Sequence, residues 1–398
     1  MITDSERLPA DTDEVGKAAV TVQGARSVVH TDPGTPAGRY MRRFWHPVYI
    51  SAELQNNWSV PIRIMGQNLT LYRGDSGTPH IVAARCAHRG LKLSVGIVEG
   101  EEIRCSYHGW KYNGTGQCVQ QPCEPKPFAE KIRIAAYPVR EYMGFIFAYL
   151  GDGEPPEFPR YPHIEDGGYV LAWGVEWPFN YFQHLENAID ETHFSFLHAL
   201  SRFKVLNFDV PKITTKETDY GLVQYGERST GALRETYYHM PNATSWMQPP
   251  EFSEETEWRE SIGWRVPIDD HSHFTYILRH YHVADSDVAK LQERLADDRR
   301  ELDKLRPFTE IVEDVLSGKM RWQDIEFRHQ GTDMTLIEDQ IANAGQGAIA
   351  DQSNEHLGGA DGAIILLRRI WQRELRALDE GLPLKNWSST MPKPTSGM

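Results

Sequence analysis

Four cysteines occur in 398 residues, at positions 86, 105, 118 and 123. That is too few for a disulfide framework and fits a reducing compartment. No apolar run reaches the roughly 18 residues a membrane-spanning helix needs. Positive charge is short as well. Lys and Arg total 42 against 56 Asp and Glu, a formal charge of −14, which argues against a nucleic-acid partner. The start, Met1-Ile2-Thr3-Asp4-Ser5-Glu6-Arg7, lacks the basic-then-apolar order of a secretory signal, so the expected location is cytoplasmic. There is no dinucleotide fingerprint, because Gly114-Thr115-Gly116 falls in a hairpin with no helix after it. The C-x4-C-x2-C run of a plant-type ferredoxin is missing too. Any reducing equivalents must therefore come from a separate protein.

Two of the cysteines stand in the most informative stretch. Cys86-Ala87-His88 is followed after sixteen residues by Cys105-Ser106-Tyr107-His108. Two thiolates and two imidazoles make a four-point metal site, open to a structural zinc or to a 2Fe-2S centre with sulfur on one iron and nitrogen on the other. Zinc fingers usually pair Cys with Cys and His with His, whereas each loop here gives one of each, which suits a two-iron cluster gripped from both sides. Cys118 and Cys123 read as small hydrophobes near this hairpin.

Around that stretch the chain divides. Residues 1–38 are an N-terminal arm, polar and loosely held over 1–30, with a turn at Pro33-Gly34-Thr35-Pro36; a short helix through Arg39 to Trp45 follows it. Short β runs at 62–65, 69–73, 81–84, 132–137 and 144–149 make 39–155 an all-β domain, closed by Pro155, Pro156, Pro159 and Pro162. In 156–398, a helix over 178–200 precedes strands near 221–227, 233–239, 257–266 and 273–283. Helices follow at 284–305, 309–316, 333–343 and 361–378. A sheet with long helices laid on it is an α+β arrangement. There is no internal repeat and no low-complexity segment.

The helix at 178–200 carries Asn187, Asp190, His193 and His198. The first three recur every third residue and so share one helix face. His193 and His198 are about 140° apart on a regular helix, so both reach one ion only if the helix ends or bulges there. Two His and a distant carboxylate form the facial triad of non-haem Fe(II), which leaves positions open for O₂ and water. The expected carboxylate is Asp339, with Glu338 as second choice and Asp333 and Asp351 behind it. A carboxylate taking N–H bonds from two ligand imidazoles would fix both rings, a role open to Asp190. Asn187 reads either as a support for the metal site or as a plain polar helix residue.

The pattern C-x-H-x16-C-x2-H before Gly109-Trp110 resembles the Rieske domain, and residues 33–378 resemble the oxygenase component of Rieske non-haem iron oxygenases. Arg42-Arg43-Phe44-Trp45-His46-Pro47, Glu338-Asp339-x6-Gln346 and Asp351-x3-Glu355-His356-Leu357 are similar to the phthalate-dioxygenase branch. The run from Arg104 to Pro125 looks like lignin-type aryl O-demethylases. The resemblance implies one Rieske 2Fe-2S cluster on Cys86, His88, Cys105 and His108, and one mononuclear Fe(II) on His193, His198 and Asp339. It implies a helix-grip catalytic domain and a homotrimer in which Asp190 links His193 to His108 of a neighbouring subunit. It also implies a small aromatic substrate, O₂, and a separate NAD(P)H-dependent reductase or ferredoxin. The products would be hydroxylated or O-demethylated arenes, or the cis-diol of an aromatic carboxylate. Two other classes compete: a Rieske electron carrier fused to an inert ligand-binding domain, and a zinc-stapled binding protein.

Pocket residues are not legible at this level. Phe194, Phe196, Tyr237, Tyr238, Trp246, Trp258, Trp264, Phe274 and Tyr276 could line a pocket or fill a core. Arg234, Arg259, Arg265 and Arg279 could meet an aromatic carboxylate, but each reads as a solvated strand residue.

Overall fold

A computed structural model describes residues 28–200, 209–248, 258–325 and 332–394. Most of the N-terminal arm, residues 1–27, lies outside them, as does the side chain of Asp333. The end of the arm is held firmly, against the expectation of a loose segment. Val28 and Val29 are buried, and their carbonyls accept hydrogen bonds from Tyr181 Oη (2.7 Å) and Asn180 Nδ2 (2.9 Å).

The N-terminal half is built from eleven strands in three antiparallel sheets. β1 (Trp45–Ile50), β11 (Phe145–Tyr149) and β10 (Val139–Tyr142) form the first sheet. β2 (Trp58–Ile64), β3 (Gln67–Arg73), β4 (Pro79–Ala83) and β9 (Ala136–Tyr137) form the second. The third is a meander of three-residue strands, β5 (Ile97–Glu99), β6 (Glu102–Arg104), β7 (Lys111–Asn113) and β8 (Cys118–Gln120). The Cys-His loops hang from β4 and β6 over a small core of their own, which includes Cys86, Leu93, Ile103, Cys105, Trp110, Tyr112 and Cys118. Cys118 is thus a core residue as expected, whereas Cys123 is exposed.

The second half is one seven-stranded antiparallel sheet in the order β12-β18-β17-β16-β15-β14-β13. Its strands are β12 (Tyr169–Trp177), β13 (Lys212–Glu217), β14 (Gly221–Glu227), β15 (Leu233–His239), β16 (Ala243–Gln248), β17 (Arg259–Asp269) and β18 (Ser272–Tyr281). The sequence marks β14, β15, β17 and β18 and misses β12, β13 and β16. Successive side chains alternate between faces. On one face Ile262, Trp264, Tyr276 and Leu278 join the main core, where Phe145 of β11 meets Trp264 and Tyr276 at 5.7 and 5.8 Å between ring centroids. The other face is gripped by helices at Tyr181–Ile189, Thr332–Ala344 and Gly362–Asp379. One core therefore ties the two halves together.

Candidate metal centres and substrate cavity

The two Cys-His loops are near copies. Cys86 N donates to Leu91 O (2.9 Å) and Gly90 N to Cys86 O (3.0 Å), while Cys105 N donates to Trp110 O (2.8 Å) and Gly109 N to Cys105 O (3.0 Å). Gly90 and Gly109 sit at φ 76° and 73°, a conformation that glycine adopts without strain and that turns each loop back on itself. Both thiols are buried, and Cys86 Sγ lies 3.2 Å from Tyr112 Oη. Burial, reinforced by the neighbouring Cys86, pushes the Cys105 thiol up, so a cation is needed to hold it as thiolate. The imidazoles pair separately, with ring centroids of His88 and His108 4.4 Å apart and His88 stacked on Trp110 at 4.7 Å. Nδ1 of His108 is buried without a hydrogen-bond partner among the described residues. No three of these four side chains bring ligand atoms within 4.8 Å of one another. One tetrahedral zinc, with bonds of about 2.0–2.3 Å, would require that closeness, whereas two irons do not.

The second site forms where a helix stops. Asn180 caps the helix Tyr181–Ile189 by accepting from Phe182 N at 2.9 Å. The helix ends at Asp190, which is extended (φ −84°, ψ 110°) and whose Oδ1 accepts from Thr192 N at 2.8 Å. Aspartate offers the backbone this alternative to helical bonding. The expectation that Asn187, Asp190 and His193 share one helix face is therefore corrected: the chain leaves the helix between them. A new turn at His193–Phe196 passes into a 3₁₀ turn at Leu197–Leu200, so the helix is irregular between the two histidines.

Here His193, His198 and Asp339 bring one ligand atom each within 4.8 Å of the others. Asp339 Oδ1 lies 3.4 Å from His198 Nε2 and 3.9 Å from His193 Nε2. The far side of each group is held. His193 Nδ1 donates to the main-chain carbonyl of Asp190, His198 Nδ1 faces Glu338 Oε2 at 2.7 Å, and Asn187 Nδ2 donates to Asp339 Oδ1 at 3.0 Å. Burial and the neighbouring His198 push His193 down to about 3, so it is a neutral donor with a free lone pair. Burial would also lower His198, but Asp339 and Glu338 outweigh it and carry it up to about 9. A site with this much negative charge around one imidazole fits a divalent cation. Glu338, the second choice for ligand, instead backs His198, and Asn187 supports the carboxylate. Asp351 caps a 3₁₀ turn through Ser353 N and is outside the triad.

A Rieske 2Fe-2S domain family matches residues 44–142. The 5,5'-dehydrodivanillate O-demethylase oxygenase subunit of a Sphingobium species is 30% identical over 361 residues, covering 88% of this chain and 79% of that protein. The phenoxybenzoate dioxygenase alpha subunit of Ectopseudomonas oleovorans is 30% identical over 420 residues, covering 95% and 91%. The chain belongs to the Rieske non-haem iron oxygenases, as an oxygenase subunit. Its fold is that of the terminal oxygenase of carbazole 1,9a-dioxygenase from Novosphingobium sp. KA1, with a TM-score of 0.62 at 20% identity over 89% of this chain and 97% of that one. An oxygenase subunit of this family carries a Rieske cluster and a mononuclear non-haem iron, and the two donor sets above fit them.

Beside the oxygenase's second donor set lies a cavity of about 120 Å³. Its sheet wall is drawn from alternate residues of the gripped face, Met247 excepted: Trp173 and Trp177 on β12, Thr275, Ile277 and Arg279 on β18, Arg265 on β17, Thr244, Trp246 and Gln248 on β16, and Arg234 on β15. Of the aromatics named from the sequence, Phe194 and Trp246 line it and the others do not. The four arginines were expected in solvent, but all are buried, at 7% exposure or less. Both faces of the sheet are covered, so alternation does not mark a wet face here. Arg234 shares the Glu191 carboxylate with Arg228, and Arg279 lies over Trp173 at 5.1 Å. Arg265 crosses Gly263, where a Cβ would come within 3.1 Å of its Nη1. Its Nη1 donates to Gly263 O (2.9 Å) and to Thr244, its Nε is buried without a partner, and no carboxylate among the described residues pairs with it. Burial lowers it to about 10, and it stays charged at neutral pH.

Another group of possible donors, Glu260, His280 and His282, is already engaged. Lys393 Nζ lies 2.9 Å and His163 Nε2 3.1 Å from the Glu260 carboxylate. Among the described residues no helix is long and apolar enough to cross a membrane.

Proposed function

We propose that this oxygenase uses O₂ and electrons from a separate reductase or ferredoxin to hydroxylate or O-demethylate a single-ring aromatic carboxylate. The observation that carries the reading is Arg265, a buried guanidinium without a carboxylate, in an aromatic-walled cavity that also holds His193, His198 and Asp339. A buried charge is costly unless paired, so an anionic substrate completes the site. The cavity is close in size to the roughly 150 Å³ space that holds one benzene ring. The cis-dihydroxylation of such a carboxylate is the alternative outcome of the same geometry. The relatives named for dehydrodivanillate and phenoxybenzoate support the aromatic class.

Cys86, His88, Cys105 and His108 would hold the cluster, and His193, His198 and Asp339 the mononuclear iron. When bound, the cluster supplies electrons singly and the iron activates dioxygen. The residues of the chain do the rest. Trp173, Trp177, Phe194 and Trp246 exclude water and hold the ring, while Arg265 fixes its orientation. Glu338 and the Asp190 carbonyl lock the two imidazoles. Asp190 would also carry the contact to His108 of a neighbouring subunit in a trimer. Val95, Ile97 and Tyr107, each more than half exposed, leave apolar surface in the cluster domain for a neighbour or an electron donor. Solved oxygenase–ferredoxin complexes of carbazole 1,9a-dioxygenase support such a donor.

The test is product analysis by mass under ¹⁸O₂, with a surrogate reductase and a panel of carboxylated and methoxylated arenes. Hydroxylation adds one labelled oxygen. O-demethylation releases formaldehyde in equal amount to the phenol, the second oxygen atom leaving as water. Iron analysis should give about three irons per chain. About two irons, with donor oxidation but no oxygenated product, would favour the electron-carrier reading instead.

A further inference from the structure

A histidine pair beneath the cavity has no part in either donor set. His273 Nδ1 lies 2.7 Å from the main-chain carbonyl of Phe179, and His273 Nε2 lies 2.7 Å from His184 Nδ1. Both residues are buried, at 0% and 4% exposure. A carbonyl can only accept, so His273 Nδ1 must carry a proton. In a neutral imidazole that leaves Nε2 bare, and His184 Nδ1 must then donate to it. The same rule applied once more leaves His184 Nε2 without a proton. Burial holds both rings neutral, lowering His273 to about 3 and His184 well below its ordinary value, with Arg265 the foremost charge acting on His184. Trp177 packs edge-on against His184 at 4.8 Å, and Thr275 Oγ1 stands 3.5 Å from its Nδ1, so the ring cannot readily turn over. His184 lines the cavity, one helical turn before Asn187, and its Nε2 makes no hydrogen bond within the described residues.

We propose that His184 presents its bare Nε2 to the cavity as a fixed hydrogen-bond acceptor, so that the oxygenase selects an arene bearing a phenolic hydroxyl as well as a carboxylate. This rests on the cavity being the substrate site. Arg265 and His184 then divide the labour. The guanidinium takes the anion, and the lone pair of His184 repels a carboxylate but receives an O–H. A methyl ether in place of that hydroxyl offers no proton and leaves two acceptors facing each other.

The test uses the iron-loaded oxygenase with calorimetric titration of benzoate, the three hydroxybenzoates, and their methyl ethers. At least one hydroxybenzoate should bind about tenfold more tightly than both benzoate and its own methyl ether, the ratio a well-formed hydrogen bond supports. His184→Phe keeps a ring and removes the lone pair. It should bring that ratio close to one while benzoate affinity and iron content hold. Should this variant fail to load iron, the ratio in the natural protein decides alone. Equal binding of a hydroxybenzoate and its methyl ether across the panel overturns the proposal and leaves the cavity reading standing. A preference that survives in iron-loaded His184→Phe also overturns it. Failure of benzoate and every other member to bind overturns the cavity reading and this proposal together.

Discussion

Glu338 separates a ligand from a support, and its substitution tests that distinction quantitatively. Its side chain is fully buried, one oxygen lies 2.7 Å from His198 Nδ1, and the other has no partner among the described residues. Glu338→Gln keeps the shape and removes the charge. Partners placed behind a metal-bound imidazole are worth about 10- to 100-fold in metal affinity, or roughly 1.4–2.7 kcal/mol. At a free Fe(II) concentration equal to the Kd of the natural protein, half of the sites fill. A tenfold loss leaves about one-tenth filled, and a hundredfold loss about one-hundredth. Competition against a chelator of known affinity, read as mononuclear iron per chain, resolves these values. The visible spectrum of the cluster should not change, since its ligands belong to a separate core. Unaltered Fe(II) affinity in Glu338→Gln would refute the supporting role. Loss as complete as that of Asp339→Ala would make Glu338 itself a ligand.

Asp339→Ala should release the mononuclear iron and keep the cluster, measured as a fall from about three irons to about two per chain. Asp190→Asn should keep both centres yet lose nearly all turnover, while the main-chain bond to His193 survives; full activity would remove Asp190 from the electron route. Arg368 joins the last long helix to buried Glu186 at 2.5 and 2.9 Å and to Glu355 at 2.5 Å. Arg368→Leu strands the Glu186 carboxylate and should cost about 3–5 kcal/mol in a denaturant melt. Burial already raises Glu186 above the usual carboxylate range. A carboxyl raised in the folded state favours folding at low pH and loses that contribution as pH rises through its folded value. The variant should therefore lose stability more steeply than the natural protein on going from acid towards neutral pH, and parallel curves would contradict the assignment.

Much of this was legible from local chemistry. The paired Cys-His loops announce themselves because their ligands and turn glycines are close in sequence. The helix carrying His193 and His198 was legible as well, including the need for a break, but not the place of that break. Asp190 has helical neighbours on both sides, and only its side-chain bond to Thr192 shows that the chain turns there. Asp339 was reachable because the stretch Glu338-Asp339-x6-Gln346 resembles the family, although Glu338, Asp333 and Asp351 competed with it. The cavity was not. Its walls come in part from β12 and β16, strands that the sequence does not mark, and from arginines that a composition argument sends to solvent. His273 looks like any strand histidine until the Phe179 carbonyl 94 residues away is placed beside it.

The alternation of the large sheet has a consequence for how such an enzyme changes its diet. Positions such as 275, 277 and 279 touch whatever occupies the cavity, while their neighbours at 276 and 278 anchor the cluster half to the catalytic half. Parity along a strand thus decouples taste from architecture. A lineage can retune what it oxidises by single changes at alternate sites without loosening the joint between the two halves.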